Sequence, residues 1–260
     1  MDIAVFNNHY DVSVNSARGF HRCNQDSYAW VSMSGSSIIT NGTVQPGYEG
    51  MDCFFAIVCD GMGGMPDGEF ASQSIVNGAV EWFKLVEKTE IITLCAELKA
   101  KVVPQLEKRM LDRYPESGTT FSALIALNDV WMSINLGDSR CYAFYDNGRM
   151  FRTLDHTPVE QRRSDGLISE DEMRFQGDNN LVNCYIGGQC CGEIRIHDIS
   201  GFRTALICSD GVHDNLSAEQ LRVSVENGDA RALVEQCITC GAEDDVTAIV
   251  IRKCGRQVMN

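Results

Sequence analysis

An apolar run from Phe54 to Cys59 has no polar position to supply an outward face, and it stops at Asp60-Gly61-Met62-Gly63-Gly64. A short run of this kind, closed by glycines, predicts a strand buried on both sides with a carboxylate at its end. Beyond it the period changes. Ala71, Ile75, Val76, Ala79, Val80 and Phe83 recur at three- and four-residue spacings, which places them on one face of a helix. A second helix is predicted from Ile91, with Leu94, Cys95, Leu98, Val102, Leu106 and Met110 as its apolar set. Pro104 lies inside it and lacks a backbone donor, so a kink or break is expected there. The two helices should lie side by side.

From Thr119 to Leu154 the pattern returns to strands, with runs at Phe121–Leu127, Val130–Leu136, Arg140–Tyr145 and Met150–Leu154. Asn128-Asp129 and Asp146-Asn147-Gly148-Arg149 supply turns, and the four runs read as a meander. Residues 155–192 are more polar, carry several glycines and read as a short helical insertion with loops. Strand-like Glu193–Ile199 and Arg203–Cys208 follow. Ser217 and Gln220 then have the spacing of a helix capping box. A helix over Ala230–Cys240 and a buried strand over Val246–Ile251 close the pattern. No repeat or Pro-rich linker divides residues 1–260, which read as a single α+β domain of two sheets with helices outside.

Charge narrows the partners. With 22 Lys and Arg against 36 Asp and Glu, the formal net charge is −14, which disfavours nucleic acid and anionic membrane surfaces. A basic track suited to a nuclease is missing. No basic segment followed by an apolar stretch opens the chain, and no run reaches the ~18 apolar residues of a membrane span, so a cytoplasmic protein is expected. The 12 cysteines do not read as a disulfide framework. Cys53, Cys59, Cys141 and Cys208 sit inside apolar runs, where free thiols act as small hydrophobes. Cys237 and Cys240 form a CxxC without a second pair to complete a zinc set, and the adjacent Cys190 and Cys191 add nothing.

Three apolar strands meet acidic residues: at Asp60, at Asp210 after Ala205–Cys208, and at Asp244-Asp245 before Val246. A single Asp-Gly is usually a turn. Three together suggest a shared oxygen-rich centre for a hard cation, because an unpaired carboxylate beside a core is costly. Two further segments, Asn24-Gln25-Asp26 and Asn135–Arg140, fit the same picture. With Ser117-Gly118-Thr119-Thr120, Asp155-His156, Ser209-Asp210-Gly211 and Asp244-Asp245-Val246-Thr247, they make an ordered series across nearly the whole chain. The chain resembles the metal-dependent Ser/Thr protein phosphatases of type 2C, of the bacterial type.

That resemblance implies a four-layer α/β/β/α sandwich with two central, mostly antiparallel sheets. It implies two Mn²⁺ or Mg²⁺ ions, with a third at a weaker site, and hydrolysis of phosphoserine or phosphothreonine by direct attack of a water activated between two ions. Asp60 matches the bridging ligand and Gly61 a carbonyl ligand. Asp210 and Asp244 match direct ligands, Asp26 a ligand through water, and Asp138 with Asp210 the third site. Asp60, Asp210 and Asp244 are thereby the catalytic set. Partners would be phosphorylated proteins, including a Ser/Thr protein kinase or its substrates, and the chain is expected to act as a monomer. No cysteine nucleophile is required.

Several positions depart from the family pattern. The phosphate-binding Arg usually stands five residues before the first Asp. Here His21 holds that place and Arg22 lies four before Asp26. Arg22 is the expected phosphate ligand, with His21 the alternative and Arg18 a more distant candidate. Gln25 replaces a common Glu. Met62 stands where many members carry a His and cannot donate a proton, which leaves a metal-held water, or His156, as the general acid; the bland reading of His156 is a turn cap. Asp245 replaces an Asn, and strand alternation should send it and Asp244 in different directions. Residues 158–180 match a flap beside the active site. The alternative to an enzyme is a pseudophosphatase that keeps the fold as a binding module.

Overall fold

The computed structural model describes residues 4–6, 10–34, 37–46, 48–62, 64–178, 181–188, 194–226 and 229–254. Two antiparallel sheets stack face to face. The first contains β1 (Ala4–Phe6), β2 (Tyr10–Ala17), β9 (Arg140–Phe144), β10 (Met150–Arg152), β12 (Thr204–Cys208) and β13 (Val246–Lys253), in the order β1-β2-β13-β12-β9-β10. The second contains β3 (Asp26–Ser34), β4 (Ser37–Thr40), β5 (Thr43–Pro46), β6 (Cys53–Asp60), β7 (Phe121–Leu127), β8 (Val130–Leu136) and β11 (Arg195–Asp198), in the order β11-β8-β7-β6-β3-β4-β5.

The continuous apolar run in β6 has a direct cause. Phe54, Ala56 and Val58 face Ile207 and Ile249 of the other sheet, in a cluster that also holds Trp30 and Trp131 of their own sheet and the loop residue Phe202. Phe55, Ile57 and Cys59 face helices. Those helices are α1 (Gly68–Leu85), α2 (Ile91–Glu97) and α3 (Val103–Leu111). On the far side, Leu206, Cys208, Ala248 and Val250 pack on α7 (Ala218–Glu226) and α8 (Ala230–Thr239) through Leu221, Val225, Leu233 and Val234. The order of layers is helix, sheet, sheet, helix, as expected for the sandwich.

The second helix is interrupted near Pro104, as expected: α2 passes through a π turn, Leu98–Val102, before α3 begins with Pro104 in its first turn. Pro104 has no N–H to give the preceding turn, so the ladder slips register where that donor is missing. One expectation is corrected: the residues from Thr119 to Leu154 do not form a meander. β7 pairs with β8 in one sheet and β9 with β10 in the other, so the chain crosses between sheets at Gly137-Asp138-Ser139. Alternation reports which face a residue takes and not which strand lies beside it. β1 to β5 had no counterpart in the expected elements, although β2 alternates, with Tyr10 and Val12 buried and Asp11 and Ser13 half-buried.

Other details agree. α1 and α3 lie against each other so closely that a Cβ on Gly78 would stand 2.3 Å from Leu106 Cδ2. Ser217 and Gln220 exchange the paired capping bonds at 2.8 and 3.3 Å. Cys53, Cys59, Cys141, Cys208 and Cys237 are buried free thiols, and Cys240 is exposed; Cys190 and Cys191 lie outside the described residues. The flap segment contributes α4 (Pro158–Ser164) and α5 (Glu170–Met173), and its last two residues, 179 and 180, lie outside the described residues. No helix among the described residues is long and apolar enough to cross a membrane.

Candidate metal centre and active-site cleft

The sheets bring acidic residues together at one end. Asp26 begins β3 and Asp60 ends β6, and the antiparallel register sets them directly opposite each other. Like charges facing across a strand pair repel, so the pairing demands a compensating partner. Asp138 enters at the crossover between the sheets, after Gly137 at φ 105°. Asp210 is the first residue of α6 (Asp210–His213), and Asp244 precedes β13. Asp60, Asp138, Asp210 and Asp244 line one cleft of about 410 Å³ together with His21, Gly61, Met62, Thr120, Val182 and Tyr185.

Backbone contacts hold these side chains in place. Asp60 N–H donates to Thr120 Oγ1 at 2.8 Å, and its carbonyl accepts from Thr120 N–H at 2.9 Å and Thr119 Oγ1 at 2.8 Å. Asn135 Nδ2 donates to the Ser139 carbonyl at 2.7 Å, which fixes the loop bearing Asp138. Gly61 cannot carry a side chain, since a Cβ there would lie 2.2 Å from the Gly68 carbonyl oxygen and 2.9 Å from that of Gln25. Gly211 is similarly tight, 2.2 Å from the Asp245 carbonyl oxygen. Ser209 Oγ donates to Asp26 Oδ2 at 2.7 Å.

The electrostatics are those of a cation site. Burial, opposed by bonds from Thr247 and Ser209 and reinforced by Asp245 and Asp244, pushes Asp26 up to about 7. Burial and then Asp155 and Asp214 push Asp138 up to about 7. Asp60 and Asp210, though each is partly open to the cleft, are driven well above the usual carboxylate range. Burial is the first cause, and the charges of the surrounding aspartates follow. Asp244 is raised for the same first reason. Asp26 Oδ1, Asp210 Oδ1 and Gln25 Oε1 are buried without a protein donor. Unpaired oxygens among mutually repelling carboxylates fit a hard divalent ion, which is bound through oxygen alone. The residues present therefore fit Mn²⁺ or Mg²⁺.

A family model described as protein phosphatase 2C matches residues 16–248, a span that holds every one of these positions. The chain belongs to the protein phosphatase 2C family. It is 27% identical over 214 residues to a serine/threonine phosphatase of Listeria welshimeri, covering 76% of this chain and 83% of that one. It is 27% identical over 205 residues to the serine/threonine protein phosphatase PstP of Mycobacterium tuberculosis, covering 74% of this chain and 39% of PstP. The fold is similar to that of the serine/threonine phosphatase Stp1 from Staphylococcus aureus, with a TM-score of 0.79 at 19% identity and 98% of each chain covered. It is also similar to the PstP catalytic domain solved with 2 manganese ions, with a TM-score of 0.73 at 23% identity, covering 95% of this chain and 99% of that one.

Within this protein phosphatase 2C fold, His21 lines the cleft. Arg22, the expected phosphate ligand, is exposed and stands outside the residues that line it. Arg18 Nη1 donates to the Arg22 carbonyl at 3.0 Å. His21 Nδ1 lies 3.3 Å from both Asp244 Oδ1 and Asp245 Oδ2. Among the described residues these three form the group of His, Cys, Asp or Glu whose ligand atoms all fall within 4.8 Å of one another, a spacing able to hold a divalent ion. Asp245 is less suited to ligation than the other two, because its oxygens also accept backbone N–H bonds from Gly19 and Gln25, each at 2.8 Å.

Asp244 is partly open while Asp245 is 1% exposed, the divergence that alternation predicts. His156 is buried, its Nδ1 3.1 Å from the backbone N and O of Gly137. It caps the crossover turn and is not among the cleft-lining residues. Roles the sequence reading left unassigned fall to Thr120, Ser209 and Asp245. All three lie inside the quoted motifs, so position was visible and partners were not. Met65, Val182 and Tyr185 on the cleft wall had no signal, since a lone apolar residue in a loop has no period.

Proposed function

We propose that this chain is a metal-dependent protein serine/threonine phosphatase that hydrolyses phosphoserine and phosphothreonine through two divalent ions held by Asp26, Asp60, Gly61, Asp210 and Asp244, with a third near Asp138. The observation that carries it is the meeting of carboxylates from both sheets in one cleft, with unpaired buried oxygens, in a chain of this family. Bound there, Mn²⁺ or Mg²⁺ would supply an acidified water and neutralise charge on the phosphoryl group. Asp60 faces Asp26 across the strands and lines the cleft with Asp210 and Asp244, which supports a role for it toward both ions. His21, which lines the cleft, would be the side chain that meets the phosphoryl oxygens in place of Arg22. Met62 lines the same cleft and has no proton to give. Protonation of the leaving oxygen is therefore assigned to solvent held at the centre.

The protein should hydrolyse p-nitrophenyl phosphate and phosphothreonine peptides with Mn²⁺ and lose activity on chelation. Asp60→Ala should lower kcat by at least ~10³-fold while near-ultraviolet circular dichroism stays native. Inert protein on both substrates, with either ion, rejects the reading. Mn²⁺ binding without turnover would instead favour the pseudophosphatase, for which Arg22's place outside the cleft speaks.

A further inference from the structure

Asp245 is buried beside the centre and is not among the residues assigned to hold the ions. Its two oxygens hold the segment that precedes Asp26: Oδ1 accepts from Gly19 N–H at 2.8 Å and Oδ2 from Gln25 N–H at 2.8 Å. The Gln25 carbonyl in turn accepts from Gly61 N–H at 3.1 Å and from Ser72 Oγ at 2.6 Å. A continuous path therefore runs from the start of β13 in one sheet, through Gln25, to the end of β6 in the other. The backbone also closes on this segment, with Phe20 N–H donating to the Glu243 carbonyl at 2.7 Å. A Cβ on Gly19 would stand 2.3 Å from that carbonyl oxygen.

We propose that Asp245 is a positioning residue that clasps the two sheets at the metal end and so sets Asp26 and Asp60 against Asp210 and Asp244. The two halves of the carboxylate set belong to different sheets, and the apolar interface between sheets is non-directional. Directional bonds at this end are what fix the spacing an ion requires. The donors this side chain meets call for a carboxylate and not an amide. A carboxylate accepts at both oxygens, whereas an amide offers one oxygen and one NH₂. Facing two backbone N–H groups, Asn would lose one bond and oppose a donor to a donor.

The inference rests on the metal-centre reading but is tested by readouts independent of turnover. In metal-free Asp245→Asn, hydrogen exchange followed by NMR should show one of the Gly19 and Gln25 amides exchanging at least ~10-fold faster while the other stays protected. Calorimetric titration should show Mn²⁺ affinity reduced ~10–100-fold, the range for losing an outer support of a metal site. Turnover should fall further at limiting than at saturating Mn²⁺. A folded variant with lower Tm but unchanged Mn²⁺ affinity makes Asp245 merely structural and overturns the proposal, as does unchanged protection of both amides. Should Asp245→Asn fail to fold, Ser72→Ala removes one of the two bonds that hold the Gln25 carbonyl beside Gly61. It must weaken Mn²⁺ binding at least ~3-fold, and unchanged affinity overturns the proposal equally. Wild-type protein that binds Mn²⁺ yet turns nothing over rejects the phosphatase reading and leaves this test intact.

Discussion

Aspartates at the start of β3, the end of β6, the start of α6 and just before β13 are unstable company without a cation, and their titration should reveal it. In the metal-free protein Asp26 and Asp138 hold a proton up to about 7, whereas an aspartate in the unfolded chain releases it near ~4. Between these values the native state binds more protons than the unfolded state, so the contribution is full below ~4 and is lost as pH rises through ~7. Thermal unfolding of chelator-treated protein should therefore show Tm rising from about pH 8 to about pH 6, and saturating Mn²⁺ should remove that slope. A flat metal-free profile would contradict the electrostatic account. Glycine tells the same local story. Gly61→Ala would force a methyl to within 2.2 Å of the Gly68 carbonyl oxygen, and a loss of about 1–3 kcal/mol in urea titrations is expected from such overpacking. Asp60 and Gly61 were legible as residues because a carboxylate at the end of an apolar run is conspicuous. That Gly61 abuts Gly68 and Gln25 was not, since proximity across a turn leaves no trace in period.

Elements matter here through what joins them. The segment after β8 crosses to the other sheet, and Arg140, the first residue of β9, then anchors it. Arg140 Nε and Nη2 donate to Asp155 Oδ1 and Oδ2 at 2.8 and 2.5 Å, and Nη1 donates to Tyr142 Oη at 3.0 Å. The pair is buried, 8% and 4% exposed at the side chains. Burial alone would raise Asp155, but the Arg140 guanidinium outweighs it and holds the carboxyl below its usual value. Removing one partner from such a pair leaves a charge in the core, so Arg140→Ala should cost about 3–5 kcal/mol in chemical denaturation and displace the loop carrying Asp138. A loss below ~1 kcal/mol would show the pair to be dispensable. Asp155 and Arg140 both stood in the ordered motifs, yet their pairing required the crossover that alternation cannot report. Helix α1 was readable from its repeat, and the break before α3 from Pro104, though the π turn depended on which donor was missing.

At the scale of the molecule, two sheets enclose an aromatic interface of Trp30, Phe54, Trp131 and Phe202, and the carboxylates gather at one end of it. The net charge of −14 gives the molecule as a whole a field that favours cations and, on the proposed phosphatase reading, substrates whose flanks are basic. Phosphothreonine peptides with Lys or Arg flanks should show kcat/KM several-fold above acidic-flanked ones at low salt, with the ratio shrinking toward one near ~1 M salt as the Debye length falls to ~3 Å. Equal rates at low salt would exclude long-range steering. The amino-acid sequence by itself determined the layer-forming periods, the acidic strand ends and the family, because these depend on residue type and order along the chain. Only the tertiary structure decided that β8 and β9 belong to different sheets, that His21 and not Arg22 stands in the cleft, and that Asp245 binds both sheets. Each of those rests on contacts between residues far apart in the chain, and such contacts are chosen by packing and hydrogen-bond geometry once the sheets have met.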